Sequence, residues 1–233
     1  MTRTAVSRLI GLLFLAGFVT YGIGSGLVTS VVGGDDFLAS VPTHETTLRI
    51  GVFLMMLNTA VDVGKAIVFF PVLEQYDRRT ALTYLSTMIV EVVLMTVGAL
   101  ALLMLIPLAQ QGAGAAALGD LAVDANELAY QTGQLTLAFG ALFLVALLFR
   151  TGLVPRWLAG LGIAGYAAHL TGATAELFGL HISLVLLIPG GLFELVLAGW
   201  LIVKGFDPEA YDGRGRQHVA VPVRTPALTA ART

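Results

Sequence analysis

Lysine and arginine are segregated along this chain, and that segregation constrains the fold more than any other feature. Six apolar stretches, residues 9–32, 48–73, 81–108, 128–149, 157–178 and 184–203, are each long enough to cross a bilayer as a helix. Of the 13 Lys and Arg residues, Arg49 lies at an outer end and Lys65 inside a stretch. The others, Arg3, Arg8, Arg78, Arg79, Arg150, Arg156, Lys204, Arg214, Arg216, Arg224 and Arg232, fall on one side when the stretches are threaded back and forth. The positive-inside rule makes that side cytoplasmic, with both termini on it. Asp35, Asp36, Glu45, Asp120, Asp124 and Glu127 decorate the other side, where Glu45 can pair with Arg49 one helical turn on. The expected fold is an all-α, polytopic bundle of six transmembrane helices over residues 1–205, N-in and C-in.

Composition agrees: 57% of residues are hydrophobic and 12% charged, too few charges for a soluble domain of 233 residues. A net charge of −2 gives no basis for binding nucleic acid. The absence of cysteine excludes disulfides and thiolate chemistry. Residues 1–30 resemble a signal peptide in charge order, but the apolar run is too long and no A-x-A site follows, so a retained first helix is expected. Asp124 and Glu127 have the spacing of a capping box opening the fourth span. Pro155 suits the start of the fifth, while Gly205 and Pro208 end the sixth. Residues 206–233, rich in Arg, Pro, Ala and Thr, read as a disordered cytoplasmic tail.

Small residues predict where helices meet. Gly160, Ala164, Ala168 and Gly172 recur every fourth residue, and Gly22 and Gly26 do the same in the first span. Close packing within the bundle is the first reading of both ridges, and a homodimer seam the second.

Polar residues inside the spans are costly. Asn58, Asp62, Lys65, Glu91, His169 and Glu194 all fall at membrane depth, with Glu176 nearer the outer surface. Asp62 and Lys65 together cost roughly 5–7 kcal/mol of insertion energy, against roughly 5–9 kcal/mol returned by about fifteen large apolar residues of the same span. The span inserts with little surplus, so these side chains must face the bundle. Asn58, Asp62 and Lys65 at i, i+4 and i+7 share one helical face, where Asp62 and Lys65 can neutralise each other. Lys65 and Glu91 fall at similar depth, as do His169 and Glu194 on the last two spans. Helix order, which would decide whether the two pairs meet, is not fixed by sequence. These residues read as structural locks, as a pathway or site for an ion or small molecule, or as an intramembrane catalytic centre. Catalysis lacks a recognisable nucleophile, and no H-E-x-x-H or metal-spaced histidine pair occurs, so neither cofactor nor metal is expected.

Two stretches are more specific. The segment from Phe149 through Arg150, Gly152, Pro155, Arg156 and Trp157 to Gly165 and Tyr166, and the run Pro189-Gly190-Gly191-Leu192-Phe193-Glu194 with Gly199-Trp200, resemble a bacterial membrane family. It is catalogued as domain of unknown function 4386. The resemblance spans about residues 5–206 and implies a six-helix protein of a cell inner (plasma) membrane with no assigned activity. It also places Arg150, Pro155, Arg156 and Trp157 in an inner-interface motif. Glu91 and Glu194 stand where the family carries Glu. Met88 stands where relatives place Arg, which suggests Lys65 as the substitute partner of Glu91. The expected function is non-enzymatic handling of an ion or small molecule through the polar core. The alternative is a scaffold that binds partners, with an intramembrane enzyme third. The lipid bilayer is the one partner composition requires.

Overall fold

The computed structural model describes residues 2–34 and 36–213. Among them there is no strand. Six long helices carry the fold: α1 (Arg3–Val32), α2 (Phe37–Glu74), α3 (Arg78–Leu103), and, after the short α4 (Leu105–Ala109), α5 (Ala116–Thr151), α6 (Arg156–Leu177) and α7 (Ser183–Val203). A last turn, α8 (Pro208–Tyr211), follows. Five stretches, namely α1, α2, α3 with α4, α5 and α7, are long and apolar enough to cross a membrane. The protein is a multi-pass membrane protein. The remaining long helix, α6, has 22 residues, the length of a span, but its Gly, Ala and Thr content makes it less apolar.

Each long helix packs on its neighbours in sequence, and α1 packs on α7, so the six close into a ring. The basic residues Arg3, Arg8, Arg78, Arg150, Arg156 and Lys204 share one end of the ring, where the helix joins are short. Glu45 and Arg49 pair at 2.7 Å at the opposite, acidic end, as their spacing predicts. Large apolar side chains such as Leu12, Phe53, Val93, Phe143 and Leu192 are exposed on the outside of the ring, a surface that suits lipid.

Two apolar clusters fill the interior. The larger, at the basic end, is built on Phe14, Phe69, Tyr84, Leu148, Phe193 and Phe206. The smaller, at the acidic end, gathers Val28, Leu48, Val52, Leu102 and Leu105. The polar residues lie between them.

Helix ends depart from expectation in four places. Helix α2 begins at Phe37, eleven residues before residue 48, and bends at His44, which has non-helical angles two residues after Pro42. The third span divides at Met104, ahead of Pro107. Helix α5 begins at Ala116, so Asp124 and Glu127 sit in its third and fourth turns and form no capping box. Residues 206–213 are not a disordered tail. Gly205 turns the chain at φ 74°, and Phe206 lies fully buried with its N–H donating to Ser7 Oγ at 3.2 Å. Arg3 donates to the Phe206 carbonyl, the Asp207 N–H to Leu153 O at 2.9 Å, and the Tyr76 hydroxyl to Ala210 O. This strap ties four parts of the chain together at the basic end. The expectation for residues 214–233, with four of the arginines, and for Asp35 lies outside the described residues.

The small-residue ridges also move. A Cβ on Gly22 or Gly26 would meet nothing within 4 Å. The close crossing is one register away, where Gly24 and Gly51 put a built Cβ 2.8–2.9 Å from each other's carbonyl oxygen. In α6, Ala164 is exposed, and the tight contacts are made by Gly162, Gly165 and Gly172 against Phe193, Gly190 and Ser183. Of the two glycines in the anticipated ridge Gly172 packs closely and Gly160 reaches no nearer than 4.0 Å, while Ala168 is half-buried.

Candidate functional site

The ring places Asn58, Asp62, Lys65, Glu91, His169 and Glu194, from four helices, on the lining of one cavity of about 290 Å³. Helix order thus brings the two depth-matched pairs to a single place. Tyr21, Tyr130 and Gln134 complete its polar wall. These three were not singled out in the sequence, where an aromatic residue at helical spacing reads as core. Tyr21 and Tyr130 stack with ring centroids 5.7 Å apart and an angle of 12° between planes.

The stripe on α2 is closed on itself. Lys65 Nζ donates to Asp62 Oδ1 at 2.8 Å, and Asn58 Nδ2 donates to Asp62 Oδ2 at 2.8 Å. The ammonium also lies 4.4 Å from the Phe14 ring centroid, over a face that attracts cations. With side chains 5% and 10% exposed, Lys65 and Asp62 form a buried, mutually neutral pair. This corrects the suggested pairing of Lys65 with Glu91: the partner of Lys65 is Asp62, and Met88 is fully buried in the basic-end cluster.

Glu194 accepts a hydrogen bond from the Tyr166 hydroxyl, across the α6–α7 contact. Tyr166 in turn stacks on His169, with centroids 6.3 Å apart. Tyr166 therefore positions both groups, one through its hydroxyl and the other through its ring.

Two polar atoms of the lining are buried without a hydrogen-bond partner, Glu91 Oε2 and His169 Nε2. Their residues are 2% and 5% exposed. A buried carboxylate oxygen without a donor carries the full cost of its desolvation. Buried polar atoms are nearly always paired, so two exceptions on one cavity lining set this place apart from the rest of the described interior.

A second cavity, of about 550 Å³, shares Tyr21, Tyr130, Gln134, His169 and Leu187 with the first. It continues to the acidic end past Asn126, Glu127, Glu176 and His181. Glu127, removed from its expected capping role, lines this vestibule. Glu176 holds the far rim, accepting from the Ser183 N–H at 3.2 Å and bonding His181 Nδ1 at 2.7 Å. Toward the basic end the first cavity stops at the cluster of Phe14, Phe69 and Tyr84, which meet edge to face.

The inner-interface motif lies apart from this site. Arg150 and Arg156 are exposed, Pro155 precedes the first turn of α6, and Trp157 meets Trp200 edge to face at 6.1 Å. The buried residues of that loop are Leu153 and Val154, and Leu153 receives the strap. No three His, Asp or Glu side chains among the described residues converge as metal ligands.

Residues 9–205 match a family profile along all six long helices, from the second turn of α1 to the glycine that follows α7. The chain belongs to the family described as Domain of unknown function (DUF4386). No curated protein and no solved structure matches it. Membership in DUF4386 brings no assigned catalytic or binding residues, so the roles of Glu91, His169 and Glu194 rest on geometry. The match ends before the α8 strap, which lies beyond the DUF4386 region.

Proposed function

We propose that the protein is a six-span bundle with both termini cytoplasmic, whose central cavity takes up an ion or small molecule from the outer side without chemical conversion. One observation carries this reading. Glu91 and His169, each with one buried and unpartnered atom, line a cavity that shares five lining residues with a vestibule at the acidic end. An intramembrane ionisable group that lines a cavity is by default a candidate functional residue. The segregated arginines support placing the acidic end outside, and the contact of α6 with α5 and α7 supports counting it as the sixth span.

A second reading, a structural scaffold, is favoured at one place. The Asn58–Asp62–Lys65 set satisfies itself and needs no ligand. Its part is to hold α2 against the cavity, while Glu91 and His169 do the binding.

Because the chain has no cysteine, water access can be read one thiol at a time. Gln134→Cys, on the shared wall of the two cavities, is expected to react with a membrane-impermeant maleimide applied to the outside of intact cells. Ala164→Cys, on the exposed outer face of α6, is expected to stay unlabelled. If Gln134→Cys resists the reagent from both sides of the membrane, the cavity is sealed and the uptake reading is wrong.

A further inference from the structure

Acidic groups outnumber basic ones on the cavity wall: three carboxyl groups, of Asp62, Glu91 and Glu194, face one ammonium, that of Lys65. Asp62 uses that ammonium up at 2.8 Å. Glu194 has the Tyr166 hydroxyl, a neutral donor, and Glu91 Oε2 has no donor. The vestibule adds Glu127 and Glu176. An anion approaching this route would meet carboxylates the whole way, whereas a cation would be drawn inward.

The free atoms narrow the choice. An ionised carboxylate oxygen only accepts hydrogen bonds, and His169 Nε2 accepts when the ring proton sits on Nδ1. A partner that brings donors satisfies both. No cage of three metal-type ligands exists among the described residues, so a bare multivalent cation finds no coordination shell.

Lys65 shows what does fit. Its ammonium rests between a carboxylate at 2.8 Å and an aromatic face at 4.4 Å. The materials for a second such seat stand unused beside it: the Glu91 carboxylate, the His169 nitrogen, and a wall of Phe18, Tyr21 and Tyr130. At about 290 Å³, the cavity stands at the small end of ligand pockets, which run to about 1,000 Å³.

From this we infer that the cavity is a binding site for a small organic ammonium ion, its N–H groups donating to the Glu91 carboxylate and the His169 ring and its carbon skeleton against the Tyr21–Tyr130 wall. The inference rests on the uptake reading above and adds the ligand's class. An amine can arrive free from solution or as the headgroup of an aminophospholipid; the chemistry recognised is the same.

The test is isothermal titration calorimetry on the full chain in nanodiscs of phosphatidylglycerol, with n-butylammonium, 1-butanol and butyrate as probes of matched size. Saturable binding of butylammonium alone is expected. Glu91→Gln is expected to weaken it about tenfold or more, the loss of one charged hydrogen-bond partner. Tyr130→Leu should weaken it about threefold to tenfold through the ring wall. If nanodiscs containing phosphatidylethanolamine shift the butylammonium titration to higher concentration, the headgroup is the natural source; if they leave it unchanged, the source is a free amine. Equal binding of 1-butanol, preference for butyrate, or undiminished binding in a folded Glu91→Gln protein would overturn the assignment. Should butylammonium fail to bind while Gln134→Cys still labels from outside, the ligand class is wrong and the cavity reading stands. Failure of the labelling removes both.

Discussion

Replacing Lys65 with Met tests the polar belt most directly, because Met keeps much of the stem volume and removes only the charged end. The ion pair is 2.8 Å long, with both side chains at most 10% exposed. At an effective dielectric near 20, the Coulomb attraction over that distance is about 6 kcal/mol. The net loss is smaller, because the ammonium no longer has to be desolvated and Asn58 still donates to Asp62. Removing one partner of a buried pair costs about 3–5 kcal/mol, most of it from the orphaned charge. For a chain of this size that is a fall in Tm of about 10 °C. Trp157 and Trp200, in contact at the basic end, report the transition by fluorescence in detergent micelles. Adding Asp62→Asn to Lys65→Met removes the orphan and should restore at least half of the loss. Met88→Arg should restore none of it, since Met88 is buried in the basic-end cluster and Lys65 belongs to Asp62. A Lys65→Met protein melting within about 2 °C of the parent, or a double variant no more stable than the single one, would refute this reasoning.

Two further outcomes follow from local geometry. Gly24→Leu drives a side chain into the backbone of α2 at Gly51 and Met55 and should cost about 3 kcal/mol or more, whereas Gly26→Leu, facing open space, should change Tm by only a degree or two. Asp77 caps α3, accepting from Thr80 Oγ1 at 2.8 Å and Arg79 N–H at 3.0 Å, and these bonds hold its carboxyl below the usual range. Its folded-state value being depressed, the stabilisation is complete above the unfolded carboxylate range and is lost as pH falls through the folded value. A cap is worth about 1 kcal/mol. Asp77→Asn should therefore lie closest to the parent in Tm at low pH, and a gap that stays constant from neutral to acid pH would count against the charge being involved.

The spans were legible because bilayer thickness imposes a length on apolar runs, and residues 184–203 match α7 to within one residue. Their extensions were not. The first eleven residues of α2 and the first twelve of α5 precede the apolar run, where neither hydropathy nor charge distinguishes helix from loop. At Asp124 and Glu127 the sequence offered a capping signal that the helix simply runs through. The glycine register in α6 failed for a different reason. With small residues at 160, 162, 164, 165, 168 and 172, more than one stripe satisfies the same spacing, and only the partner helix selects between them. The stripe of Asn58, Asp62 and Lys65 was readable because it lies on one helix, and its closure was anticipated. The meeting of Glu91 with His169 and Glu194 depends on ring closure, and Tyr21 and Tyr130, on different helices, stand more than a hundred residues apart in the chain.

The contact of α1 with α7 has a consequence for how the molecule is made. A ribosome delivers α1 well before α7, so the ring remains an open crescent until α7 has been made. Throughout that interval the second helix must sit in lipid without α5, α6 or α7 to shelter it. It carries its own remedy, since Asp62 and Lys65 cancel within one turn and need no later helix. Glu91 has no such companion. The helix that bears it emerges beside a neutralised α2 and must wait for the others. The most exposed moment in the life of this chain therefore falls between the third helix and the closing of the ring, and variants that weaken Glu91's surroundings should be cleared by membrane proteases before they are ever fully built.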